Sequence, residues 1–387
     1  MTIPCGFYIV NNVSYFNKLQ AIEASLASGH EILFDWNNSF WLAQNWLQEP
    51  TESLKDLYRI RAEQIRSKYE HVALCFSGGA DSLNILKTFD ANNIHIDEII
   101  CWHNHSLTNN WDSMMNGEIT KVAIPVAQEY ISRHPTTVLT LVDQLDAFKA
   151  LLDQSNDDVI SMMAYSTTPS SSSMFSGSWY CTLPIFKKMI DSGKSIGLVW
   201  GVEKTQIKMS PDDPTKYAFF GFNEYVQSIQ IKNTLSDYRV SDEFFYWSAD
   251  LPKLLIKQCH TLKNKLNQLS ADFVDPNINP VTSLRRTHMK AKNGASVSLQ
   301  TINIWLYEYW NFSYFTVGKP NGSMFLSEID SWINTAVTTD HGAKWLTIAT
   351  HYLMQYTKIA KISTNWKINK EFGSKTPALV TLSYLIE

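Results

Sequence analysis

The stretch Ser77-Gly-Gly-Ala-Asp-Ser82 places two glycines beside two hydroxyls and one carboxylate. Gly78 and Gly79 have no Cβ and tolerate positive φ, so phosphate oxygens can approach their backbone closely. The two serine hydroxyls can donate hydrogen bonds, and the Asp81 carboxylate is a hard oxygen ligand for a magnesium ion that bridges phosphates. The stretch therefore predicts a phosphate site in which Asp81 is both a metal ligand and a catalytic group.

The elements around this stretch place it at a helix terminus. The apolar run Val72-Ala-Leu-Cys-Phe76 predicts a buried strand, and the segment Leu83 to Phe89 has the apolar spacing of a helix. A strand, a glycine loop and a helix in succession direct backbone N–H groups and the positive end of the helix at an anion. The loop is not a Walker A loop, because no Lys follows its second glycine at the required spacing. An ordinary surface turn is the alternative.

The SGGxDS spacing resembles the PP-loop of the N-type ATP pyrophosphatases. This superfamily includes asparagine synthetase, GMP synthetase, argininosuccinate synthetase, tRNA thiolases and phosphoadenosine phosphosulfate (PAPS) reductases. The resemblance covers about residues 55–210, and SGGADS is its specific part. It implies that ATP and Mg²⁺ bind and that ATP is cleaved to AMP and pyrophosphate. It also implies that the β- and γ-phosphates, or a mimic of them, contact Ser77, Gly78, Gly79, Asp81 and Ser82.

Two further strand ends are candidates for the rest of the nucleotide site. Open α/β sheets bind ligands at the carboxyl ends of their strands, where the strand order reverses, so the ends near residues 77, 102 and 201 should converge. The family resemblance implies that adenine lies on main-chain groups of Cys101, Trp102 and His103. His103 is also a candidate base or phosphate partner, and an exposed histidine at a strand end is the alternative.

Charged residues follow the predicted strand that ends at Gly201. Lys204 and Lys208 are predicted to be catalytic, by holding the α-phosphate and stabilising charge as pyrophosphate leaves. Gly201 and Glu203 are predicted to contact the nucleotide. The region is similar to the W-G-[IV]-[RE] segment of PAPS-reductase-like members, and solvated loop charges are the alternative.

Strands and helices alternate around these motifs. Alternation of this kind predicts an α/β fold with a doubly wound parallel sheet, and the resemblance makes it HUP-like. The predicted strands are 71–76, 97–102, 136–142 and 195–201, and the predicted helices are 51–69, 83–89, 117–133, 143–152 and 183–191. Beyond residue 240 the pattern is helical and aromatic, with helices near 251–269, 305–315 and 332–356. We expect an N-terminal mixed segment (1–50), a PP-loop ATP-binding domain (51–235) and a mainly helical substrate or assembly region (236–387).

Three other segments each allow two interpretations, one functional and one purely structural. Glu118 opens a predicted helix where several PP-loop branches carry an acid, but a Glu in a first turn also complements the helix dipole. The Ser-rich segment 167–177 is either a loop that closes over substrate or an idle surface loop. The basic run Arg285 to Lys292 either binds a phosphate tail or nucleic acid, or is a solvated loop.

Composition excludes several classes of protein. With 387 residues and 44% hydrophobic residues, the chain can build a core larger than one typical domain. A net charge of −4 argues against a broad nucleic-acid surface. No apolar run is long enough to span a bilayer, so we expect a cytoplasmic protein. The five cysteines form no CxxC pair, which argues against a zinc knuckle or a redox dithiol, and Cys75 and Cys101 are expected in the core.

Together these features predict an AMP-forming, ATP-dependent ligase or transferase. It would adenylate an acceptor for amide, amine or thiol transfer, and the sequence leaves that acceptor open, as a small molecule or a nucleotide. One alternative is a PAPS-reductase-like sulfonucleotide enzyme, although that reaction needs a reactive cysteine near the C-terminus and the last one here is Cys259. The other alternative is a nucleotide-binding sensor without turnover.

Overall fold

The computed structural model describes most of the first 143 residues and several later stretches. The described residues are 7–15, 21, 24–25, 27–35, 37–103, 105–112, 116–143, 188, 191–201, 205–210, 212–220, 240–275, 289–310, 366–368, 377–379 and 383–387. Within this part of the chain no helix is long and apolar enough to cross a membrane.

The described strands and helices are numbered in chain order. The strands are β1 (Phe7–Val10), β2 (Val13–Tyr15), β3 (Ile32–Asp35), β4 (His71–Cys75), β5 (Glu98–His103), β6 (Val138–Asp143), β7 (Ile196–Trp200), β8 (Ile207–Met209), β9 (Tyr217–Phe220), β10 (Val240–Phe244), β11 (Met289–Lys290), β12 (Ser296–Val297), β13 (Trp366–Ile368), β14 (Pro377–Leu379) and β15 (Ser383–Leu385). The helices are α1 (Asn38–Leu42), α2 (Leu54–Lys68), α3 (Ala80–Ala91), α4 (His105–Thr108), α5 (Ile124–Arg133), α6 (Pro252–Asn267) and α7 (Leu299–Leu306), and a π-helix (Ile119–Ala123) precedes α5.

A five-stranded, all-parallel sheet lies at the centre of the fold, in the order β10-β7-β4-β5-β6. The chain moves from β4 outward to β5 and β6, and the later strands β7 and β10 lie on the other side of β4. The strand order therefore reverses between β4 and β7. Such a reversal leaves a crevice at the carboxyl ends of the two strands, where open α/β sheets bind ligands. The predicted α/β class with a parallel sheet is confirmed.

The inner strands are apolar because the sheet is covered on both faces. All five residues of β7 are buried, and four of the five residues of β4 are buried. Successive side chains of a strand point to opposite faces, so continuous burial requires cover on both sides. This is why the sequence shows these strands as unbroken apolar runs.

Helices α2 and α3 flank the central strand and pack against each other. The Ser53 side chain caps α2 by accepting a hydrogen bond from the N–H of Asp56, as an N-cap residue does. Leu57, Ala62 and Ile65 are buried along one side of this helix. The helix predicted for 51–69 is therefore confirmed, with bounds shorter by a few residues.

The strand β10 corrects the prediction that the chain after Val240 is helical. It pairs in parallel with β7, and Glu243 lies opposite Val199. The sequence signal was weak because the strand reads Val-Ser-Asp-Glu-Phe, with three polar residues in a row. Burial of the Glu243 carboxylate is compensated by Arg61 at 2.5 Å and Lys68 at 2.6 Å. The strand lies just beyond residue 235, while the division of the chain into three segments stays a prediction.

Other helix predictions need smaller corrections. The helix expected over 305–315 does not extend through its described part, because α7 ends at Leu306, where the backbone of Tyr307 is extended, and residues 311–315 lie outside the described residues. The helix expected from 117 begins with a π-helical turn, and Asp143, expected to open a helix, closes strand β6. The remainder of 143–152, most of 183–191 and all of 332–356 lie outside the described residues.

Smaller antiparallel sheets surround the parallel one. Strands β1, β2 and β3 form one of them, in agreement with the mixed layer expected before residue 50. Strands β8, β9 and β15 form another, which carries Lys208. The Trp46 ring stacks on Phe219 and Tyr384 of that second sheet, at centroid distances of 5.4 and 4.6 Å, and so joins the N-terminal part to the core.

Candidate functional site

The loop after β4 has the backbone that a phosphate site requires. Gly78 has φ +76°, and a Cβ added there would lie 3.0 Å from the backbone nitrogen of Ala123 in the π-helix. Glycine is therefore needed at 78 for two reasons, the left-handed backbone and the close approach of the π-helix. Gly79 has φ −72° and ψ 166° and is the N-cap residue of α3, so the first N–H groups of that helix lie next to the loop.

The serine hydroxyls hold this loop through long hydrogen bonds. Ser82 Oγ donates to the carbonyl of Gly79 at 3.2 Å and accepts from the N–H of Ser77 at 3.3 Å. Ser77 Oγ accepts from the N–H of Gly79 at 3.3 Å and lies 3.3 Å from Ser82 Oγ. Bonds at the long end of the hydrogen-bond range are readily exchanged for stronger bonds to a charged phosphate. Ser77 is exposed, so its hydroxyl can reach a ligand from solvent.

Two tyrosines hold Asp81, which lies in the first turn of α3, one through its side chain and one through its main chain. The hydroxyl of Tyr307 donates to Oδ1 of Asp81 at 2.5 Å, and the hydroxyl of Tyr246 donates to the Asp81 main-chain carbonyl at 2.6 Å. Asn84 donates in turn to the Tyr246 oxygen at 3.2 Å. Asp81 is only partly buried.

A layer of three tyrosines surrounds this contact. The ring centroids of Tyr58 and Tyr246 lie 5.8 Å apart, and those of Tyr246 and Tyr307 lie 5.3 Å apart. Burial raises the pKa of all three phenols well above the usual value, and the nearby charge of Asp81 raises it further. The three hydroxyls therefore stay protonated and act as donors at any physiological pH.

Gly201 closes the crevice on the side of β7. A Cβ added at this residue would lie 3.0 Å from the backbone nitrogen of Ser82 and 3.2 Å from Cβ of Asp81. The end of β7 therefore touches the first turn of α3, at the point where the strand order reverses. The structure brings Gly201 together with the loop residues Ser77 to Ser82, as the sequence predicted.

The end of β5 is the third part of this sheet edge. Cys101 is fully buried, and burial raises the pKa of its thiol to about 12, so its side chain takes no part in ligand chemistry. His103 is buried as well, with Nδ1 3.1 Å from Oδ2 of Asp143 and 3.2 Å from the N–H of His105. Trp102 is partly buried. The expectation that His103 is an exposed strand-end residue is wrong, because Asp143 at the end of β6 holds it in place.

An aromatic ring adjoins that histidine. The Trp111 ring lies 4.6 Å from the ring of His103 and 4.6 Å from the ring of His105, and it remains 38% exposed. Neighbouring strands are about 5 Å apart, so the ends of β5 and β6 lie one and two strand spacings, about 5 and 10 Å, from the end of β4. That span suits a nucleotide whose phosphates lie on the loop.

The remaining predicted residues are less closely tied to this edge. Lys208 lies in β8 with an exposed side chain, and Glu203 and Lys204 lie outside the described residues. The proximity of these three to the phosphates therefore stays a prediction. Glu118 is partly buried at the start of the π-helix.

The basic run at 285–292 is described only from residue 289. Lys292 Nζ pairs with Glu387 at 2.7 Å and lies 5.1 Å from the centroid of the Tyr217 ring. These contacts tie Lys292 to Glu387 and to strand β9. The Ser-rich segment 167–177 lies outside the described residues.

The donor set at the loop suits magnesium bound together with a nucleotide. Among the described residues, no group of three or more His, Cys, Asp or Glu side chains could hold a metal ion. A single carboxylate is nevertheless what Mg²⁺ uses in phosphate sites, where phosphate oxygens and water complete its coordination. Asp81, with the hydroxyls of Ser77 and Ser82 nearby, fits that pattern.

The sequence did not identify the tyrosines at Asp81, the partner of His103 or the role of Ala123. Tyr246 and Tyr307 lie more than 160 positions from Asp81 along the chain, at separations of 165 and 226 residues. The available signal was the choice of Tyr over Phe at buried positions, because a buried hydroxyl requires a partner.

Comparison with known proteins provides no further assignment. No model of a known protein family matches the chain, and no curated protein sequence matches it.

Proposed function

We propose that this protein is an AMP-forming, ATP-dependent enzyme of the PP-loop type, with a HUP-like doubly wound domain. The observation that carries the proposal is the position of SGGADS, which joins β4 to α3 at the reversal of strand order and is closed by Gly201. Phosphate oxygens would meet the N–H groups at the start of α3, the hydroxyls of Ser77 and Ser82, and a backbone without Cβ atoms at Gly78 and Gly79.

The resemblance to the PP-loop family implies how this edge is divided between the phosphates and adenine. The β- and γ-phosphates lie on the loop, and adenine lies toward main-chain groups of Cys101 to His103 at the end of β5. Mg²⁺, bound by Asp81 and the phosphates, would neutralise charge on the pyrophosphate. Lys204 and Lys208, with Glu203, would act on the α-phosphate from the segment after Gly201.

The chemistry needs two displacements. An acceptor oxygen attacks the α-phosphorus, an O–P bond forms, and the bond to the bridging oxygen breaks as pyrophosphate leaves with the electron pair. An amine or thiol then attacks the activated carbon of the acceptor, AMP leaves, and a base takes the proton of the nucleophile. His103 is the candidate base, because Asp143 fixes its ring at the same sheet edge. The protein contributes mainly position and electrostatics.

The thiols within the described ranges bear on the sulfonucleotide alternative. Cys75, Cys101 and Cys259, the cysteines within the described ranges, are all buried. Burial raises the pKa of the Cys259 thiol well above its usual value, so it is a poor nucleophile. These three residues therefore give no support to the reductase alternative.

The nucleotide that accompanies the purified protein tests this proposal. We expect protein purified in Mg²⁺ and denatured in acid to release ATP or AMP, identified by mass, in proportion to the protein. A Gly79→Val variant purified in parallel should release much less. Release of a nucleotide without adenine, or equal amounts of nucleotide from both proteins, would contradict the assignment of the loop.

A further inference from the structure

We propose that Tyr307 is a positioning residue for Asp81, which fixes the carboxylate so that it offers one oxygen to the Mg²⁺ of the bound nucleotide. The inference rests on the proposed ATP·Mg site and assigns that site a component from outside the PP-loop segment. Tyr307 follows α7, and 226 residues separate it from Asp81.

Tyr307 contacts the carboxylate of Asp81, the group that would bind the metal. Tyr307 donates to the carboxylate oxygen Oδ1 at 2.5 Å, so this oxygen carries a strong, charge-assisted hydrogen bond. An oxygen that already accepts such a bond is a weaker metal ligand than its neighbour. The carboxylate is therefore directed toward binding the metal through one oxygen, which is how Mg²⁺ is held in nucleotide sites.

Tyr307 is held in place by contacts at the end of α7. Tyr307 is 1% exposed, and its N–H donates to the carbonyl of Asn303 at 2.8 Å, within the last turn of α7. The preceding residue, Leu306, accepts at its carbonyl from the Tyr58 hydroxyl at 3.2 Å, which ties the end of α7 to α2. The backbone hydrogen bond of Tyr307 and the packing of its ring against Tyr246 together fix the direction of the Tyr307 hydroxyl.

Tyr246 restrains the same residue at a second point. Its hydroxyl donates to the Asp81 main-chain carbonyl at 2.6 Å, so the backbone and the carboxylate of Asp81 are held by different tyrosines. Tyr307 acts on the carboxylate that would bind the metal, whereas Tyr246 acts on the main chain. Loss of the Tyr307 hydroxyl should therefore change metal dependence, whereas loss of a buried phenol hydroxyl that is bonded elsewhere in the fold should change only stability.

Tyr307→Phe and Tyr69→Phe form a matched pair for the test. Both remove one buried phenol oxygen that donates to a carboxylate, but the Tyr69 hydroxyl donates to Glu243. The full-length proteins are titrated with ATP at a series of Mg²⁺ concentrations and in EDTA. We expect Tyr307→Phe to raise the Mg²⁺ concentration for half-maximal ATP affinity about 10-fold, the scale of one hydrogen bond to a charged group, with unchanged binding in EDTA.

Two further measurements separate positioning from folding. In an Asp81→Asn background, Tyr307→Phe should have no additional effect on metal dependence. In the otherwise unchanged protein, 3-fluorotyrosine at position 307 should show a ¹⁹F shift when Mg²⁺ is added to the ATP complex, because the metal withdraws charge from the carboxylate. This second measurement keeps the hydroxyl and does not require Tyr307→Phe to fold.

The outcomes distinguish this inference from the proposed function. If the wild-type protein does not bind ATP with Mg²⁺, both fall. If it binds, but Tyr307→Phe has the metal dependence of Tyr69→Phe, or the fluorine signal does not respond to Mg²⁺, Tyr307 is a core residue only and the inference alone is overturned.

Discussion

The Cβ position of Gly201 lies 3.0 Å from the backbone nitrogen of Ser82, so the end of β7 and the first turn of α3 are in direct contact. The neighbouring atoms are backbone atoms of a helix, which cannot rotate away as a side chain can. Any side chain at 201 must therefore move the loop by a few tenths of an ångström. This contact couples strand β7 to the proposed phosphate site.

We expect Gly201→Ala to lower ATP affinity about 10-fold, the loss expected when one hydrogen bond to a charged phosphate is weakened. Gly294→Ala is the control. Gly294 has φ +86° with no atom within 4 Å of an added Cβ, so its replacement costs about 1–2 kcal/mol of stability and leaves ATP affinity unchanged. Calorimetric titration and thermal unfolding of both variants give the two readouts. Equal ATP affinity in the two variants would contradict the coupling.

The proposed geometry predicts the products of turnover. Because the loop holds the β,γ end of ATP, the α-phosphorus is open to attack, and we expect AMP and pyrophosphate. Chromatography of ATP labelled in the adenine and in the γ-phosphate, after incubation with candidate acceptors, identifies them. ADP and phosphate as the only products would contradict adenylation and leave the binding site in place.

The lysines after β7 should act on the transition state more than on bound ATP, because negative charge then shifts to the departing pyrophosphate. Lys204→Ala or Lys208→Ala should lower turnover about 10²-fold with little change in ATP affinity. Lys216→Ala is the control. Lys216 precedes strand β9 of the same antiparallel sheet, and its charge is already paired with Asp213 at 3.2 Å. A lysine more than about 8 Å, a Debye length, from every phosphate oxygen in a closed complex has no such role.

The buried ion pairs of Glu243 predict how stability depends on pH. Burial alone would raise the pKa of this carboxyl, but Arg61 and Lys68 hold it below the usual value of 4.5. A folded pKa below the unfolded one means that the stabilisation is present above about pH 4.5 and is lost as pH falls through the folded pKa. We expect the unfolding free energy of Glu243→Gln to fall less steeply with acid than that of the wild type.

The loss of stability caused by Glu243→Gln provides a second check. Glu243→Gln removes the partner of Arg61 at 2.5 Å, leaves this 1% exposed guanidinium the longer contact with Asp250 at 3.8 Å, and should cost about 3 kcal/mol near neutral pH. Glu63→Gln removes the exposed pair with Arg59 and should cost less than about 0.5 kcal/mol. Denaturant unfolding of both variants measures this difference. A small cost for Glu243→Gln would show that the network contributes little to stability.

The sequence identified those parts of the fold whose signals are local. Apolar runs mark β4 and β7, and the glycines mark the loop, because burial on both faces and close backbone approach leave a direct trace in composition. Strand β10 was missed, because the buried Glu243 is tolerated only with partners from distant Arg61 and Lys68. Tyr307 and Asp143 were missed for the same reason, since their partners are set by tertiary packing. Local sequence patterns do not predict contacts between residues that are far apart in the sequence.

The most direct test of the central claim is calorimetric titration of ATP·Mg into the wild type, Gly79→Val and Asp81→Ala. Gly79 has φ −72°, a conformation that any residue adopts, so a side chain there obstructs phosphate without straining the backbone. We predict that the wild type binds and that each variant loses about 10-fold or more in affinity. Wild-type affinity in both variants would show that ATP does not bind at the loop between β4 and α3.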